Sequence, residues 1–346
     1  MTDLSPAKFR RALLGWYDRS QRDLPWRRTN DPWAIHVSEI MLQQTRVAAV
    51  LPYYERFLAR YPTPEAFAQA SESEILACWA GLGYYSRARN LQKAAAHIAL
   101  SGRYPRDYPD IRALPGVGDY TASAIGSIAF GHARAAVDGN VLRVFARMTA
   151  ERADPRARTA WERLTATAQA LIDPRRPGDF NQALMELGAM VCPPRNPHCA
   201  ACPVSRWCEA HALGLQHQVP LKSPKQPSMD VVRRLLVIQR DGALLLRRVA
   251  AGSRRLAGFW DLPEPEQIPG ARIRKKVAEF RHTIVNTNHR CQVSLASPGR
   301  RAMPPELHWT PLTDLSSLPL STMARKALSL ASLAGRERNL AHSARV

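Results

Sequence analysis

Acidic residues are in short supply in this chain. Against 49 Lys and Arg there are only 29 Asp and Glu, which leaves a formal charge of +20 over 346 residues. That imbalance is silent about fold, but it favours a polyanionic partner such as nucleic acid. Long apolar runs are absent as well: no stretch approaches the ~18 consecutive apolar residues of a membrane span. The N-terminus, MTDLSPAKFRRALLGWYDRS, mixes charges into its apolar pattern and lacks a signal-peptide core. A cytoplasmic protein with no membrane partner is expected. Cysteine is scarce, and its placement excludes the disulfide scaffold of a small secreted domain. Four of the six cysteines fall between positions 192 and 208, while Cys78 and Cys291 stand alone and read as buried apolar thiols.

What is present divides the chain in two. Residues 1–215 read as an all-helical domain. Apolar residues recur at helical spacing in Phe9–Tyr17, Ile35–Leu42, Val47–Leu58, Ile75–Ala80, Leu91–Leu100, Thr121–Phe130, Val141–Met148, Trp161–Ile172 and Gln182–Met190. Pro25, Pro32, Pro62, Pro64, Pro105, Pro109, Pro174 and Pro177 fall between these segments. Between His211 and Met229 the periodicity is lost and Pro, Gln and Ser accumulate, which marks a linker over 216–228. Beyond it, Val231, Val232, Leu235–Ile238 and Ala243–Leu246, broken by Arg240-Asp241-Gly242, predict a β-hairpin. Gln292–Leu295 predicts another strand. A smaller α+β domain over 229–333 follows, then a polar tail over 334–346.

The stretch Leu114–Asn140 carries the first chemical signal. Leu114, Gly116, Val117 and Gly118 form a turn that feeds a helix, and such a turn offers free N–H groups and a favourable dipole to a phosphate. Asp138 follows beside Gly139 and Asn140; taken alone it is a helix N-cap. A second carboxylate, Glu39, lies on the apolar stripe of Ile35 and Leu42, where burial would raise its pKa. The cysteines Cys192, Cys199, Cys202 and Cys208 are spaced C-x6-C-x2-C-x5-C. One tight pair with two wide arms suits an iron–sulfur cubane better than the paired C-x2-C units of structural zinc, although spacing alone leaves zinc open.

Together, the glycine turn, Asp138 and the cysteine spacing resemble the helix-hairpin-helix DNA glycosylases of the endonuclease III family. Val37-Ser-Glu-Ile-Met-Leu-Gln-Gln-Thr45, Gly81-Leu-Gly-Tyr-Tyr-Ser-Arg-Ala-Arg-Asn90 and Ala183-Leu-Met-Glu-Leu-Gly188 narrow the resemblance to the MutY-type adenine glycosylases. It covers nearly all of residues 8–210. It implies one 4Fe-4S cluster on Cys192, Cys199, Cys202 and Cys208, with the hairpin at about 110–130. The substrate it implies is duplex DNA with adenine opposite 8-oxoguanine or guanine, bound by a monomer near the nucleoid. By position, Glu39 is the acid that protonates adenine and Asp138 stabilises the sugar cation. Tyr120 and Asn140 support these two, while Arg22, Leu24, Trp26 and Gln182 line the base pocket. Base removal from an intact duplex requires flipping, for which Gln43, Gln44 and Tyr84 match the residues that enter the gap. Arg87 and Arg89, with Arg195, His198 and Arg206 on the cysteine loop, are expected to meet phosphates.

One position bears on reaction type. Bifunctional relatives carry a Schiff-base lysine two residues after the second hairpin glycine. Here Tyr120 occupies it, which predicts hydrolysis without a lyase step. In the second domain, Gly258-Phe-Trp-Asp-Leu-Pro263 and Phe280-Arg-His-Thr283 resemble the Nudix-like 8-oxoguanine-checking domain of the family. No glutamate-rich Nudix box follows Leu262, and Ile284-Val285-Asn286 stands where many relatives have Phe-Ser-His. Two alternatives remain: a thymine- or uracil-guanine mismatch glycosylase, and a non-catalytic damage-binding module.

Overall fold

The computed structural model describes residues 5–221, 227–250, 252–253, 256–284, 286–299, 302–316 and 318–343, with side chains to residue 332. Val285, central to the reading-loop expectation, lies outside the described residues. The chain divides into two compact units: Met1–Gln69 with Ser86–Pro224, and Ala70–Tyr85 with Lys225–Val346. The grouping of Ala70–Tyr85 with the C-terminal residues is not visible in the sequence, where this segment is one more helical stretch.

The first unit is helical. Its elements are α1 (Pro6–Ser20), α2 (Pro32–Leu42), α3 (Val47–Arg60), α4 (Pro64–Ala68), α6 (Ser86–Ser101), α7 (Tyr108–Ala113), α8 (Asp119–Phe130), α9 (Gly139–Met148), α10 (Arg158–Leu171), α11 (Pro177–Met190) and α12 (Glu209–Ala212). Helix α5 (Glu72–Trp79) belongs to the second unit. Prolines open α1, α2, α4, α7 and α11, where their missing N–H costs nothing. Helix α2 is the buried axis of the unit: every residue from Trp33 to Met41 is buried. Asp31 caps it, its two carboxylate oxygens accepting from Trp33 N at 3.2 Å and Ala34 N at 3.1 Å. One core joins α1, α9, α10 and α11 through Phe9, Leu13, Val144, Phe145, Leu164, Phe180 and Leu187. A second joins α2, α6, α7 and α8 through Ile35, Ala94, Ile98, Ile111 and Ile125.

Helices α7 and α8 with the turn between them form the expected hairpin. Leu114 and Val117 are buried, at 3% and 4% exposure, in the core of α2, α6 and α8. Their side chains therefore hold the turn from within that core. Gly116 sits at φ +81°, and a Cβ there would lie 2.7 Å from Asn90 Cβ. Gly118, the N-cap of α8, has ordinary φ and open space around it.

The second unit contains two sheets. In one, β6 (Thr287–Ser297) lies between β1 (Met229–Val237), to which it is parallel, and β5 (Arg272–Ile284), to which it is antiparallel. In the other, β3 (Ala243–Arg248) is flanked along its length by β7 (Leu307–Pro311) and at its ends by β2 (Gln239–Arg240) and β4 (Trp260–Asp261). The predicted hairpin is thus only partly present: β2 pairs with β3, but β1 leaves to join β6. The run Leu235–Ile238 explains the departure. Leu235 and Val237 enter one core while Leu236 and Ile238 enter another. A strand buried on both faces is apolar throughout, the habit of a parallel strand and not of a half-exposed hairpin. Helix α13 (Thr322–Ser343) packs Met323, Ala324 and Ala327 into the first of these cores and continues past Gly335, where the sequence places a tail.

Gly116→Ala should destabilise the protein by roughly 1–3 kcal/mol, the scale of a strained left-handed residue, whereas Gly118→Ala should unfold at the wild-type denaturant midpoint. Equal midpoints for the two variants would contradict the turn geometry.

Candidate active site

Helices α2, α8, α9 and α11 enclose a cavity of about 540 Å³ lined by Glu39, Tyr120, Asp138, Asn140 and Gln182, among others. Arg22, Leu24, Trp26, Gln43 and Gln44 complete much of the wall. Residues separated by up to about 160 positions in the chain thus meet in one space of ligand-binding size. Among the lining residues that the sequence did not single out are Arg27, Met185 and Glu186. Glu186 stands inside the quoted motif Ala183–Gly188, so a buried acid among apolar residues was the available signal.

The two carboxylates have different surroundings. Glu39 is 6% exposed, and its Oε2 is buried with no hydrogen-bond partner. Burial pushes its pKa up to about 7, with Asp138 adding to the rise and the neighbouring Tyr120 hydroxyl opposing it. The Tyr120 hydroxyl itself donates to Met185 Sδ at 3.4 Å. Asp138 is the N-cap of α9: Oδ1 accepts from Asn140 N and Val141 N, both at 2.8 Å. Asn140 Nδ2 donates to Oδ2, also at 2.8 Å. Burial dominates and leaves this carboxyl raised too, with the N–H groups of Val141 and Asn140, the Asn140 amide and the charge of Arg143 offsetting part of the rise. Two acids thus share one cavity in unlike surroundings, Glu39 with an unpartnered Oε2 and Asp138 held by three donors, the kind of asymmetry that distinguishes an acid from a charge stabiliser.

Arg143 ties this end of α9 to its neighbours. Nη2 donates to Asn140 Oδ1 and to Gly188 O, each at 2.8 Å, and Nε to Cys192 O at 2.9 Å. The close approach depends on Gly188, where a Cβ would lie 2.7 Å from Asn140 Cβ. Arg147, one turn on, donates to Cys192 Sγ at 3.1 Å and to Pro193 O at 2.8 Å.

On the opposite wall, Glu186 is 1% exposed and accepts from Arg22 Nε at 2.7 Å and from Arg27 Nη2 at 2.8 Å. Burial works against its charge, but these guanidinium bonds prevail and hold its pKa down to about 2. Arg22 remains partly exposed at this wall. Trp26 is buried, its ring edge-on to Tyr54 at 5.3 Å.

The residues expected to touch DNA separate. Gln44 is exposed at φ +57°, directly after α2, and Gln43 donates to Thr121 Oγ1 at 3.3 Å. Tyr84 is 46% exposed at φ +48°, in the second unit. Arg87 does not fit its expected role. It is 8% exposed and donates to Ile40 O at 2.8 Å, Met41 O at 3.0 Å and Gln43 O, so it satisfies the last carbonyls of α2 in place of a phosphate. Arg89 is half-buried, while Arg195, His198 and Arg206 are exposed.

All four cysteines of the loop are free and half-buried. Burial pushes Cys202 up to about 12 and raises Cys199 and Cys208, and each of these thiols feels the charge of its fellows. Among the described residues no three His, Cys, Asp or Glu side chains are arranged to hold a single metal ion. Cys291 is fully buried and Cys78 half-buried, its Sγ donating to Ile75 O at 3.1 Å.

Comparison with known proteins identifies relatives. The model of the "HhH-GPD superfamily base excision DNA repair protein" matches residues 37–179. A human protein named adenine DNA glycosylase is 35% identical over 92% of this chain and 73% of its own length. A Mycobacterium tuberculosis protein of the same name is 46% identical over 57% of this chain and 65% of its own. Among solved structures, a thermostable thymine-DNA glycosylase superposes with a TM-score of 0.56 at 32% identity, covering 60% of this chain and 97% of that one.

Ionised Glu39 is costly in its cavity. Its folded pKa lies above the unfolded value, so the unfolded state loses its proton first and stability falls as pH rises from about 4.5 to about 7. Glu39→Gln should therefore be more stable than wild type above pH 7, by up to roughly 3 kcal/mol, with the difference vanishing below pH 4. Denaturant unfolding at pH 4 and pH 8 measures it; equal stabilities at pH 8 would place Glu39 in a solvated or compensated environment.

Proposed function

The chain belongs to the adenine DNA glycosylase family, within the helix-hairpin-helix base excision repair proteins, and on that footing we propose that it hydrolyses adenine from A·8-oxoguanine and A·G pairs in duplex DNA. The observation that carries this reading is a single cavity holding one buried carboxyl, its pKa pushed up to about 7, beside a second carboxylate held by the first N–H groups of α9.

Glu39, protonated, gives its proton to N7 of the flipped adenine. The N-glycosidic bond then breaks with its electron pair leaving on the base, and positive charge develops on the sugar. Asp138, fixed by Asn140 and the first N–H groups of α9, faces that charge as the carboxylate. Water adds to C1′, and its proton passes to Glu39, which restores the acid. No lysine amine replaces water as the nucleophile, because Tyr120 occupies that position. Glu186, Arg22 and Gln182 supply polar groups at the base-binding wall, and Trp26 supplies an aromatic one.

Binding of the DNA follows from the charge and the hairpin. The α8 N-terminus has no side-chain cap at Gly118, leaving N–H groups for a phosphate. The reading of 8-oxoguanine is assigned to the Nudix-like C-terminal residues, with the sequence Ile284-Val285-Asn286 in place of the relatives' Phe-Ser-His. We assign the protein to the cytoplasm, acting on nucleoid DNA as a monomer.

The four cysteines suit a 4Fe-4S cluster. They are unpaired, Cys199, Cys202 and Cys208 each feel the charge of Cys192, and Arg147 already donates to Cys192 Sγ. Cationic iron would supply the charge that burial denies a bare thiolate. Bound to Cys192, Cys199, Cys202 and Cys208, the cluster would stiffen the loop that carries Arg195, His198 and Arg206 and contribute no hydrolytic chemistry.

Release of free adenine from A·8-oxoguanine duplex, set against T·G and U·G duplexes, tests the function. Adenine release should dominate, fall above about pH 7 as Glu39 ionises, and drop about 10²–10⁴-fold in Glu39→Gln, the range for a lost general acid. Asp138→Asn should be similarly impaired. Pyrimidine release in preference to adenine would favour the mismatch alternative, and no release at all would leave only a binding module. High-yield borohydride trapping would contradict hydrolysis without an imine. For the cofactor, purified wild type should contain four irons per chain with visible thiolate-to-iron absorbance, and Cys202→Ala should lose both; zinc at one per chain would refute the cluster.

A further inference from the structure

We infer that Asn181 is a positioning residue for Asp138: its side-chain amide fixes the connector that delivers the carboxylate to the cavity. The inference rests on the glycosylase reading above.

The connector runs from Gly131 to Asp138, between α8 and α9, and belongs to no helix or strand. Its backbone nevertheless carries the bonding pattern of a strand, supplied by two side chains. From α11, Asn181 Oδ1 accepts from Ala136 N at 3.0 Å, and Nδ2 donates to Arg134 O at 2.9 Å. From α10, Gln169 Oε1 accepts from Ala135 N at 2.9 Å, and Nε2 donates to Ala133 O at 2.9 Å. Each amide thus takes the C=O of one residue and the N–H of the residue two further on, as a neighbouring peptide does in a β-ladder. Even-numbered residues meet one amide and odd-numbered residues the other.

The two amides differ in weight. Gln169 is exposed, so water can take its place. Asn181 and Ala136 are both fully buried, and loss of the amide leaves a buried N–H unpaired. Asn181 Nδ2 also donates to Ser127 Oγ at 2.8 Å, near the end of α8. That contact needs α11 to lie close against α8, and Gly178 permits it: a Cβ there would lie 2.9 Å from Ile128 Cα and from Ser127 O. Asn181 therefore joins three parts of the cavity. Helix α8 carries Tyr120, α11 places Gln182 in the wall, and the connector ends in Val137 and Asp138, which both line it. The N–H groups of α9 orient the carboxylate on its own helix. The Asn181 amide ties the start of that helix to α8 and α11, two residues before the carboxylate. The sequence holds no signal for this, because the partners of Asn181 are backbone atoms more than forty residues earlier.

The test uses full-length, cluster-loaded wild type, Asn181→Ala, Asp138→Asn and the double variant. Each is bound to duplex DNA that carries, at the target position, either a cationic pyrrolidine or a neutral tetrahydrofuran. The first mimics the charged sugar that Asp138 faces and the second does not, so wild type should prefer the pyrrolidine. Asn181→Ala should lose about tenfold of that preference and release adenine up to about 10²-fold more slowly, the scale of a small misplacement in a catalytic site. Tetrahydrofuran affinity should stay at the wild-type value. In the Asp138→Asn background the same substitution should cost no further preference, as expected of two residues acting through one group. A full pyrrolidine preference in Asn181→Ala, or none in wild type, overturns the proposal. So does equal weakening of both duplexes, or an additive loss in the double variant, either of which marks a general structural loss. Should Asn181→Ala not fold, Asn181→Thr, which keeps most of the volume without the amide, is read by the same criteria. Absence of adenine release from wild type would sink the glycosylase reading instead, because the pyrrolidine preference is observed independently of release.

Discussion

The N-terminus of α9 is the point on which the site depends. Asp138 caps the helix, so its carboxylate is held by the same N–H groups that the helix must satisfy in any case. Function and fold share one set of hydrogen bonds there. Arg143 extends the arrangement: it holds Asn140 from behind and reaches Gly188 and Cys192. A change in the cysteine loop is therefore a change three hydrogen bonds from the carboxylate, through Arg143 and Asn140, with no side chain of the loop in the cavity wall described above.

Glu39 is handled in the opposite way. No cap, no guanidinium and no donor reaches its Oε2, and the helix around it is buried on every side. Its charge is disfavoured by what is missing. Glu186 shows that this is a choice of surroundings and not of depth: it is at least as buried, yet two arginines keep it ionised. Three carboxylates in one cavity wall have three different sets of partners, which leave Glu39 and Asp138 raised and Glu186 lowered.

Arginine in this chain serves structure as much as it serves a polyanion. Arg87 closes the end of α2, Arg143 and Arg147 tie α9 to the cysteine loop, and Arg22 and Arg27 neutralise Glu186. The charge of +20 in the sequence overstates the surface left for DNA, because these guanidinium groups are already engaged. The hairpin makes the same point with apolar residues. Leu114 and Val117 are in the motif because they anchor the turn from within the core.

By itself the sequence determined the helical first unit, the four-cysteine loop and Glu39 as an acid on an apolar stripe, while the pairing of Glu39 with Asp138 came from the family resemblance. The first three signals are local: a period of 3.6, a fixed spacing, or a charged residue in an apolar stripe. It also marked Asp138 as a helix cap, which it is. Tertiary structure decided which partners each group has, since these lie far away in the chain. That is why Arg87 turned from a phosphate contact into a helix cap, and why Glu186 surfaced only once Arg22 and Arg27 were seen beside it. The second unit was less legible for a related reason. Leu235–Ile238 is apolar on both faces, and periodicity cannot say whether such a run joins its neighbour in sequence or, as here, a parallel strand more than fifty residues later. The grouping of Ala70–Tyr85 with that unit is of the same kind: Tyr85 reads as one more apolar ring until Phe259 is found against it.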